Sequence, residues 1–527
     1  MSVHRLSLLL LLLSLIYVAD CRRSRNRQSP PPDSYRVGVV EHAVIPPSPP
    51  DVNTRKMALD GMKWNVDAYN RTMVEAKRMG VKLLVYPEYG LYGTRMTRER
   101  MSLFAETIPD PKEGHRNPCI DRDFTGGQVQ RWLSCSARYN YMFIVVNMAG
   151  REACKPEDEC PSDGQFLYNT NVVFSPKGEI IARYYKTNLF KEDWFNSSKS
   201  DDLAIFDTPF GKFATFICFD IMFKKPTVEL IRKHNIRNIA YSTAWVERPP
   251  IFRSIAMHSG VARAAKANIL SANLHWLPTN SYGSGIYTPD GAVTYHYRKN
   301  DPKSKLLWAD IHKIDMEAIE EDEQEQEDEI KDANVLDLFK TKDLPLFKFK
   351  HLTARSGLVE VCQGQFCCKA TYAIEGHNQE DYAVGIYDGY ILASEKKLYV
   401  QICTLLKCPN SECGTEITNV RTVFSHFSLK GTGLDSYFIF PSVMAMDEGQ
   451  YKLASDAWTY NEHNGIKSQP EQTVHLHSAN LLARVYRRDV LLRDPNKKKN
   501  EGSEKWVNST INFVLRTITS FIFSIIV

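Results

Sequence analysis

The feature that most restricts the fold is a series of short apolar runs, separated by helical patterns, between Tyr35 and Asn273. YRVGVVEHAVI from Tyr35, VKLLVY over 81–86, YMFIVVN over 141–147 and FATFIC over 213–218 have the β-branched and aromatic richness of buried strands. Residues 171–174 and 180–185 read as a hairpin pair, and 238–242 and 269–273 as further strands. Between them, 51–80, 128–139, 226–234 and 251–267 read as helices. In the first of these, Met57, Met62, Trp64, Val66, Tyr69, Met73, Val74 and Ala76 recur at helical spacing; Asp51 or Asn53 is placed to cap the start, and Gly80 ends it. Strands apolar on both faces must be covered on both, so this pattern predicts an α/β domain with helices over its sheet.

At 527 residues the chain is too long for one hydrophobic core. The pattern breaks at EAIEEDEQEQEDEIKD, residues 317–332, which has almost nothing to bury and reads as a solvated linker. Beyond it, short β-rich runs, frequent turns and six cysteines predict a second, mostly β domain stapled by disulfides. The expected organisation is a signal peptide over 1–21, a flexible Arg- and Pro-rich leader over 22–34, the α/β domain over 35–312, the acidic linker over 313–343, the cysteine-rich domain over 344–490 and a tail over 491–527. The signal reading rests on His4 and Arg5 followed by an apolar run from Leu6 to Val18, too short to span a bilayer. In the tail, small residues near Asn500, Gly502 and Ser503, a spacer and a hydrophobic end have the layout of a lipid-anchor signal. Arg516 interrupts that end, so an interfacial amphipathic helix and a docked terminal helix are the competing readings.

Export to an oxidising compartment makes cysteine parity informative. Setting aside Cys21 at the cleavage point, eleven cysteines remain. Cys119, Cys135, Cys154 and Cys160 form one even set, and Cys362, Cys367, Cys368, Cys403, Cys408 and Cys413 another, leaving Cys218 as the odd thiol. Zinc competes for these sets, but no His pairs stand near them at ligand spacing. Sequons at Asn70, Asn196 and Asn508 agree with export as glycosylation sites. A formal net charge of +4 with scattered basic residues argues against a nucleic-acid partner.

A nucleophilic Cys218 needs a base and a group to hold an oxyanion. Glu88 follows Pro87 at the end of the 81–86 strand, and Lys186 follows Tyr185 at the end of another. Each has a plain alternative: a solvated loop carboxylate, a snorkelling edge lysine and a buried core cysteine. Together, three such groups at strand ends of one sheet mark the rim where α/β sites gather. Trp245 and the 281–287 segment are candidates for a substrate pocket, with plain core as the alternative for Trp245.

The strand-end Glu of VYPEYGLYG, Lys of ARYYKTNLF and Cys of FICFDIMF, in that order, resemble the Glu-Lys-Cys triad of the nitrilase (carbon-nitrogen hydrolase) superfamily. YNTNVVF, STAW and GSGIY are similar, more narrowly, to its vanin and biotinidase branch, over about residues 35–307, and the second domain resembles that branch's extra domain. The resemblance implies an αββα sandwich, hydrolysis of a linear amide through a thioester and no metal or organic cofactor. It implies Glu88 as general base, Cys218 as nucleophile, and Lys186 with the Phe219 N–H as oxyanion donors, the lysine also favouring the thiolate. Glu192 is matched to an accessory acid. The substrate implied is pantetheine, split to pantothenate and cysteamine; a biotinyl amide and a non-catalytic surface glycoprotein are the alternatives. A cell-surface location follows from the tail, and oligomeric state is left open.

Overall fold

A computed structural model describes residues 33–491 apart from 46–51, 95, 156–158, 199, 201, 302, 315–332, 338–343, 377–379, 395, 411–412, 415–418, 437 and 464. The signal, the leader up to residue 32, the acidic run, the hydrophobic tail, Asp51 and Asn508 therefore lie outside the described residues, and the last leader position, Ser34, opens the first strand. The first part of the chain builds strands β1 (Ser34–Ala43), β2 (Leu83–Val85), β3 (Phe143–Ala153), β4 (Gln165–Phe174), β5 (Ile180–Tyr185), β6 (Ala204–Thr208), β7 (Gly211–Ile217), β8 (Asn238–Thr243), β9 (Asn268–His275), β10 (Ser284–Thr288), β11 (Gly291–His296) and β12 (Lys305–His312). They form two sheets, β5-β4-β3-β2-β1-β12 and β6-β7-β8-β9-β10-β11, joined where His42 and Ala43 pair with Leu274 and His275. β1, β2 and β3 are mutually parallel, as are β7, β8 and β9.

Side-chain alternation explains the layers. Leu83, Val85, Phe143 and Val145 point into a core shared with Phe213, Phe216 and Ile239 of the other sheet. Leu84, Tyr86, Ile144 and Val146 point the opposite way, onto Ala58, Met62, Tyr69 and Met73 of helix α1 (Arg55–Arg78). α2 (Arg98–Phe104) and α3 (Gln128–Asn140) share that layer. α4 (Glu229–Arg232) and α5 (Ser254–Ala265) pack with the second sheet. The result is the αββα sandwich that the resemblance implied.

Local details differ from expectation. Thr54, rather than Asn53, caps α1 by accepting the Met57 N–H at 3.3 Å. Met57, Trp64 and Val74 lie off the buried stripe of α1 and are exposed, Trp64 by 50%. Pro226 opens the expected helical stretch just after a non-helical Lys225, but its first residues, through Val228, belong to a π-type turn and only Glu229–Arg232 is regular α-helix. A proline restricts the residue before it to extended backbone, which accounts for Lys225 at φ −107°, ψ 127°.

The second part is a β-sandwich. One sheet contains β13 (Val335–Asp337), β14 (Lys348–His351), β17 (Tyr382–Ala393), β18 (Lys396–Lys407), β20 (Ile439–Asp447), β21 (Gln450–Leu453), β24 (Leu476–Arg484) and β25 (Val490–Leu491). The other contains β15 (Ser356–Gln363), β16 (Phe366–Ile374), β19 (Phe424–Thr432), β22 (Trp458–Asn461) and β23 (Gly465–Ser468). Ten cysteines pair as Cys119–Cys135, Cys154–Cys160, Cys362–Cys367, Cys368–Cys403 and Cys408–Cys413. His351 stands beside the last pair, but both sulfurs are held in the bridge. Among the described residues Cys218 is the free cysteine, and it is buried.

The two parts share one core. α5 is buried on all sides, with second-domain residues Phe438, Phe440 and Met444 in the same cluster as its Ile255, Val261 and Ala262. A helix apolar all round must be covered all round, and here a sheet lies on each side of it.

Candidate active site

Three strand ends deliver the site. β2 stops at Val85, and Pro87, which has no N–H to offer a ladder, turns the chain so that Glu88 follows off the sheet. β5 stops at Tyr185, immediately before Lys186. β7 stops at Ile217, and Cys218 opens a tight helical turn, Cys218–Met222. Cys218 adopts φ 45° and Tyr89, next to Glu88, φ 60°. Non-glycine residues in the left-handed region are strained and persist only where their surroundings hold them. The Tyr241 hydroxyl donates to the Cys218 carbonyl at 2.7 Å, and the Tyr89 N–H donates to Asn147 Oδ1 at 3.0 Å.

Glu88 and Lys186 are each 1% exposed and joined at 2.8 Å between Oε1 and Nζ. The second carboxylate around the ammonium is Glu192, whose Oε2 accepts from Nζ at 2.5 Å and from the Phe190 N–H at 3.0 Å. The Ala244 N–H donates to Glu88 Oε2 at 2.8 Å and also lies against the thiol. Glu88, Lys186, Glu192 and Cys218 are thus brought together, with the Phe219 side chain buried beside them. Trp245 sits one residue beyond Ala244, but its indole turns away: Nε1 donates to the Phe252 carbonyl at 3.0 Å, and the ring packs edge-on to His258 of α5. Asn70 and Asn196 are half-buried; Asn196 Oδ1 accepts from Arg98 and the Leu167 N–H, both at 3.0 Å.

Burial pushes the Glu88 carboxyl up from the ordinary range, with the Lys186 charge opposing and the Glu192 charge adding to the shift. Burial works against the Lys186 ammonium, but Glu192 and Glu88 outweigh it and hold its pKa well above the usual lysine range. The Cys218 thiol is raised by burial and then by the negative charge of Glu88; Lys186 acts the other way and is outweighed. Lys186 thus favours the thiolate, as expected, but burial and Glu88 outweigh it and leave the thiol protonated at rest.

Sequence reading missed the group that spaces the two carboxylates. Asn169 Nδ2 donates to Glu88 Oε1 at 2.7 Å and Glu192 Oε1 at 2.6 Å, while its Oδ1 is fixed by Asn147 Nδ2 at 2.6 Å. The Tyr89 hydroxyl also donates to Glu192 Oε1. The signal was present in YNTNVVF, where Asn169 and Asn171 stand two apart on one face of a buried strand. A buried asparagine on a core strand needs polar partners to satisfy it.

Residues 58–312 match the Carbon-nitrogen hydrolase family, and residues 337–489 match the Vanin C-terminal domain. The chain is 47% identical to Symplectin of Sthenoteuthis oualaniensis over 87% of this chain and 92% of that one. It is 35% identical to Pantetheinase of Bos taurus over 87% and 90% of the two chains. It is 32% identical to Biotinidase of Bos taurus over 86% and 93%. With both family domains matched in order and relatives aligned along most of its length, the chain belongs to the carbon-nitrogen hydrolase family, in the branch that carries a vanin C-terminal domain, and is a hydrolase of non-peptide carbon–nitrogen bonds in small amides.

Proposed function

We propose that the protein is an exported amidase that cleaves pantetheine to pantothenate and cysteamine through a thioester on Cys218. The observation that carries this reading is the burial of one unpaired thiol against the Glu88–Lys186 pair. Cys218 Sγ attacks the amide carbonyl carbon while Glu88 takes the thiol proton. Lys186 Nζ and the Phe219 N–H, free at the start of its helical turn, stabilise the oxyanion. Collapse breaks the C–N bond, and Glu88 returns the proton to the departing amine. Water, deprotonated by Glu88, then attacks the thioester carbonyl, releasing the carboxylic acid and the thiol. The raised Glu88 pKa suits both proton transfers, because a base works best with a pKa near the operating pH. Glu192 and Asn169 orient the lysine and the base.

Pantetheine is favoured by the pantetheinase relatives at 35% identity. A biotinyl amide is the second reading, supported by the biotinidase relative at 32%. Export is supported by the apolar run at residues 6–18 and by five disulfides, which persist in oxidising compartments. Among the described residues no helix is long and apolar enough to cross a membrane, and membrane attachment is assigned to a lipid anchor replacing the tail after about Asn500. Glycans are assigned to Asn70, Asn196 and Asn508.

The test is turnover of a chromogenic pantothenoyl amide beside a biotinyl amide by the secreted protein. Preferential release from the pantothenoyl substrate is expected; preference for the biotinyl amide selects the second reading, and turnover of neither overturns both. Cys218→Ser is expected to be secreted and folded with hydrolysis abolished. Failure of that variant to be secreted overturns the assignment of Cys218 as nucleophile rather than structural thiol.

A further inference from the structure

The second domain reaches the candidate site through two cations. Strands β17 and β18 turn back at Ser394, and this tip lies against the segment that joins Lys186 to Glu192. Ser394 Oγ accepts the Lys191 N–H at 3.2 Å. Lys396 Nζ donates to Asn188 Oδ1 at 2.7 Å, and the same ammonium stands 4.2 Å from the centre of the Phe223 ring. Asn188 passes the contact inward: its backbone N–H and its Nδ2 both donate to Asp220 Oδ1 at 2.9 Å. The other oxygen of Asp220 accepts from the Tyr184 hydroxyl at 2.9 Å and from the Ile217 N–H at 3.2 Å, the residue just before the thiol.

The second cation is Arg484 of β24, 1% exposed. Its Nε donates to the Met222 carbonyl at 3.0 Å, at the far end of the Cys218–Met222 turn. Its two remaining nitrogens hold the Tyr399 carbonyl and the Asp489 carboxylate, so the guanidinium is locked within the second domain.

We propose that Lys396 and Arg484 are positioning residues, and that the second domain completes the active site by holding the nucleophile turn in its strained conformation. This rests on reading Cys218 as the nucleophile. Two physical arguments support it. Cys218 at φ 45° needs its surroundings to hold it: the Tyr241 hydroxyl of β8 holds the Cys218 carbonyl, and Arg484 holds the Met222 carbonyl at the other end of the turn. An ammonium can only donate, so Lys396 fixes which end of the Asn188 amide faces it. Asn188 Nδ2 also donates to the Lys225 carbonyl at 3.0 Å, so the amide is held from both ends; losing the Lys396 donor frees its oxygen and lets the Asn188–Asp220 contact, which adjoins the Ile217 N–H and Cys218, shift. Neither cation touches the reacting atoms.

The test uses the full-length protein with Lys396→Met, which keeps the stem over Phe223 and removes the donors, and Lys396→Arg, which keeps a donor. Arg484→Lys provides a second probe at the other end of the turn. Readouts are kcat and KM on an amide the wild type turns over, the iodoacetamide alkylation rate of Cys218 without reductant, and the thermal midpoint. Lys396→Met is expected to lower kcat and to alter the alkylation rate, each on the order of tenfold, as misplacement of a reacting group by a fraction of an ångström does. KM and the thermal midpoint are expected to stay near wild type, and Lys396→Arg to recover most of the loss. Wild-type kcat and alkylation rate in both Lys396→Met and Arg484→Lys overturn the proposal, as does a loss that follows the thermal midpoint and is not rescued by arginine. Alkylation needs no substrate, so a wild type inert toward amides would sink the pantetheinase reading while leaving this comparison readable.

Discussion

At the scale of single residues, the site is a balance between burial and charge. Burial raises the Glu88 carboxyl, while the Lys186 ammonium 2.8 Å away opposes that shift. On the proposed mechanism Glu88 is the base and is active when deprotonated, so kcat/KM is expected to fall as pH drops through its pKa. That acid limb is expected above the ordinary glutamate value of about 4.3, and a pH profile of kcat/KM measures it. Glu88→Gln should remove turnover rather than move the limb. Asn169→Asp replaces the two donations that separate Glu88 from Glu192 with a third negative charge. Its kcat is expected to fall by at least about tenfold with secretion retained; unchanged kcat would remove Asn169 from the positioning network.

At the scale of elements, α5 is where the two domains meet most closely. A Cβ built on Gly260 falls 2.6 Å from the Pro441 carbonyl oxygen of β20, a backbone atom with little room to yield. Gly260→Ala therefore pries α5 from β20 even though alanine is the better helix former. A loss of about 1–3 kcal/mol is expected in chemical denaturation, the usual cost of overpacking, and an unchanged midpoint would contradict this packing. Within the second domain, Cys368–Cys403 ties β16 of one sheet to β18 of the other. Replacing both cysteines with alanine is expected to cost about 2–4 kcal/mol in the same assay.

At the scale of the whole molecule, the nitrilase-type sandwich and the second β-sandwich act as one body with a shared core. Stability of the second domain carries its own pH dependence. Burial would raise the Glu380 carboxyl, but hydrogen bonds from Lys407, Thr422 and the Arg421 and Thr422 N–H groups outweigh it and hold its pKa at about 2. A lowered folded pKa stabilises the protein above the unfolded value and loses that contribution as pH falls. Glu380 stabilisation is thus expected to be complete above about 4.5 and to disappear toward about 2. Thermal midpoints measured across that window should fall less steeply in Glu380→Gln than in the wild type.

What the sequence determined by itself is what local periodicity and counting encode. Buried strands announce themselves as short apolar runs, so 81–86, 141–147 and 213–218 were legible, and strands apolar on both faces pointed to an α/β domain with its sheet covered by helices; the αββα layering came from the family resemblance. Cysteine parity isolated Cys218 because a bridge consumes thiols in pairs. The order of strand-end Glu, Lys and Cys carried the family. Tertiary structure decided the rest, because it depends on groups distant in the chain. Asn169 became a spacer between carboxylates only once β4 was laid beside the ends of β2 and β5. The thiol's protonation was set by desolvation and by Glu88, neither of which can be read from the neighbours of Cys218 in sequence. Lys396 and Arg484 acquired a place at the Cys218–Met222 turn only because a second domain, more than 150 residues further along the chain, folds back over α5 and the turn itself.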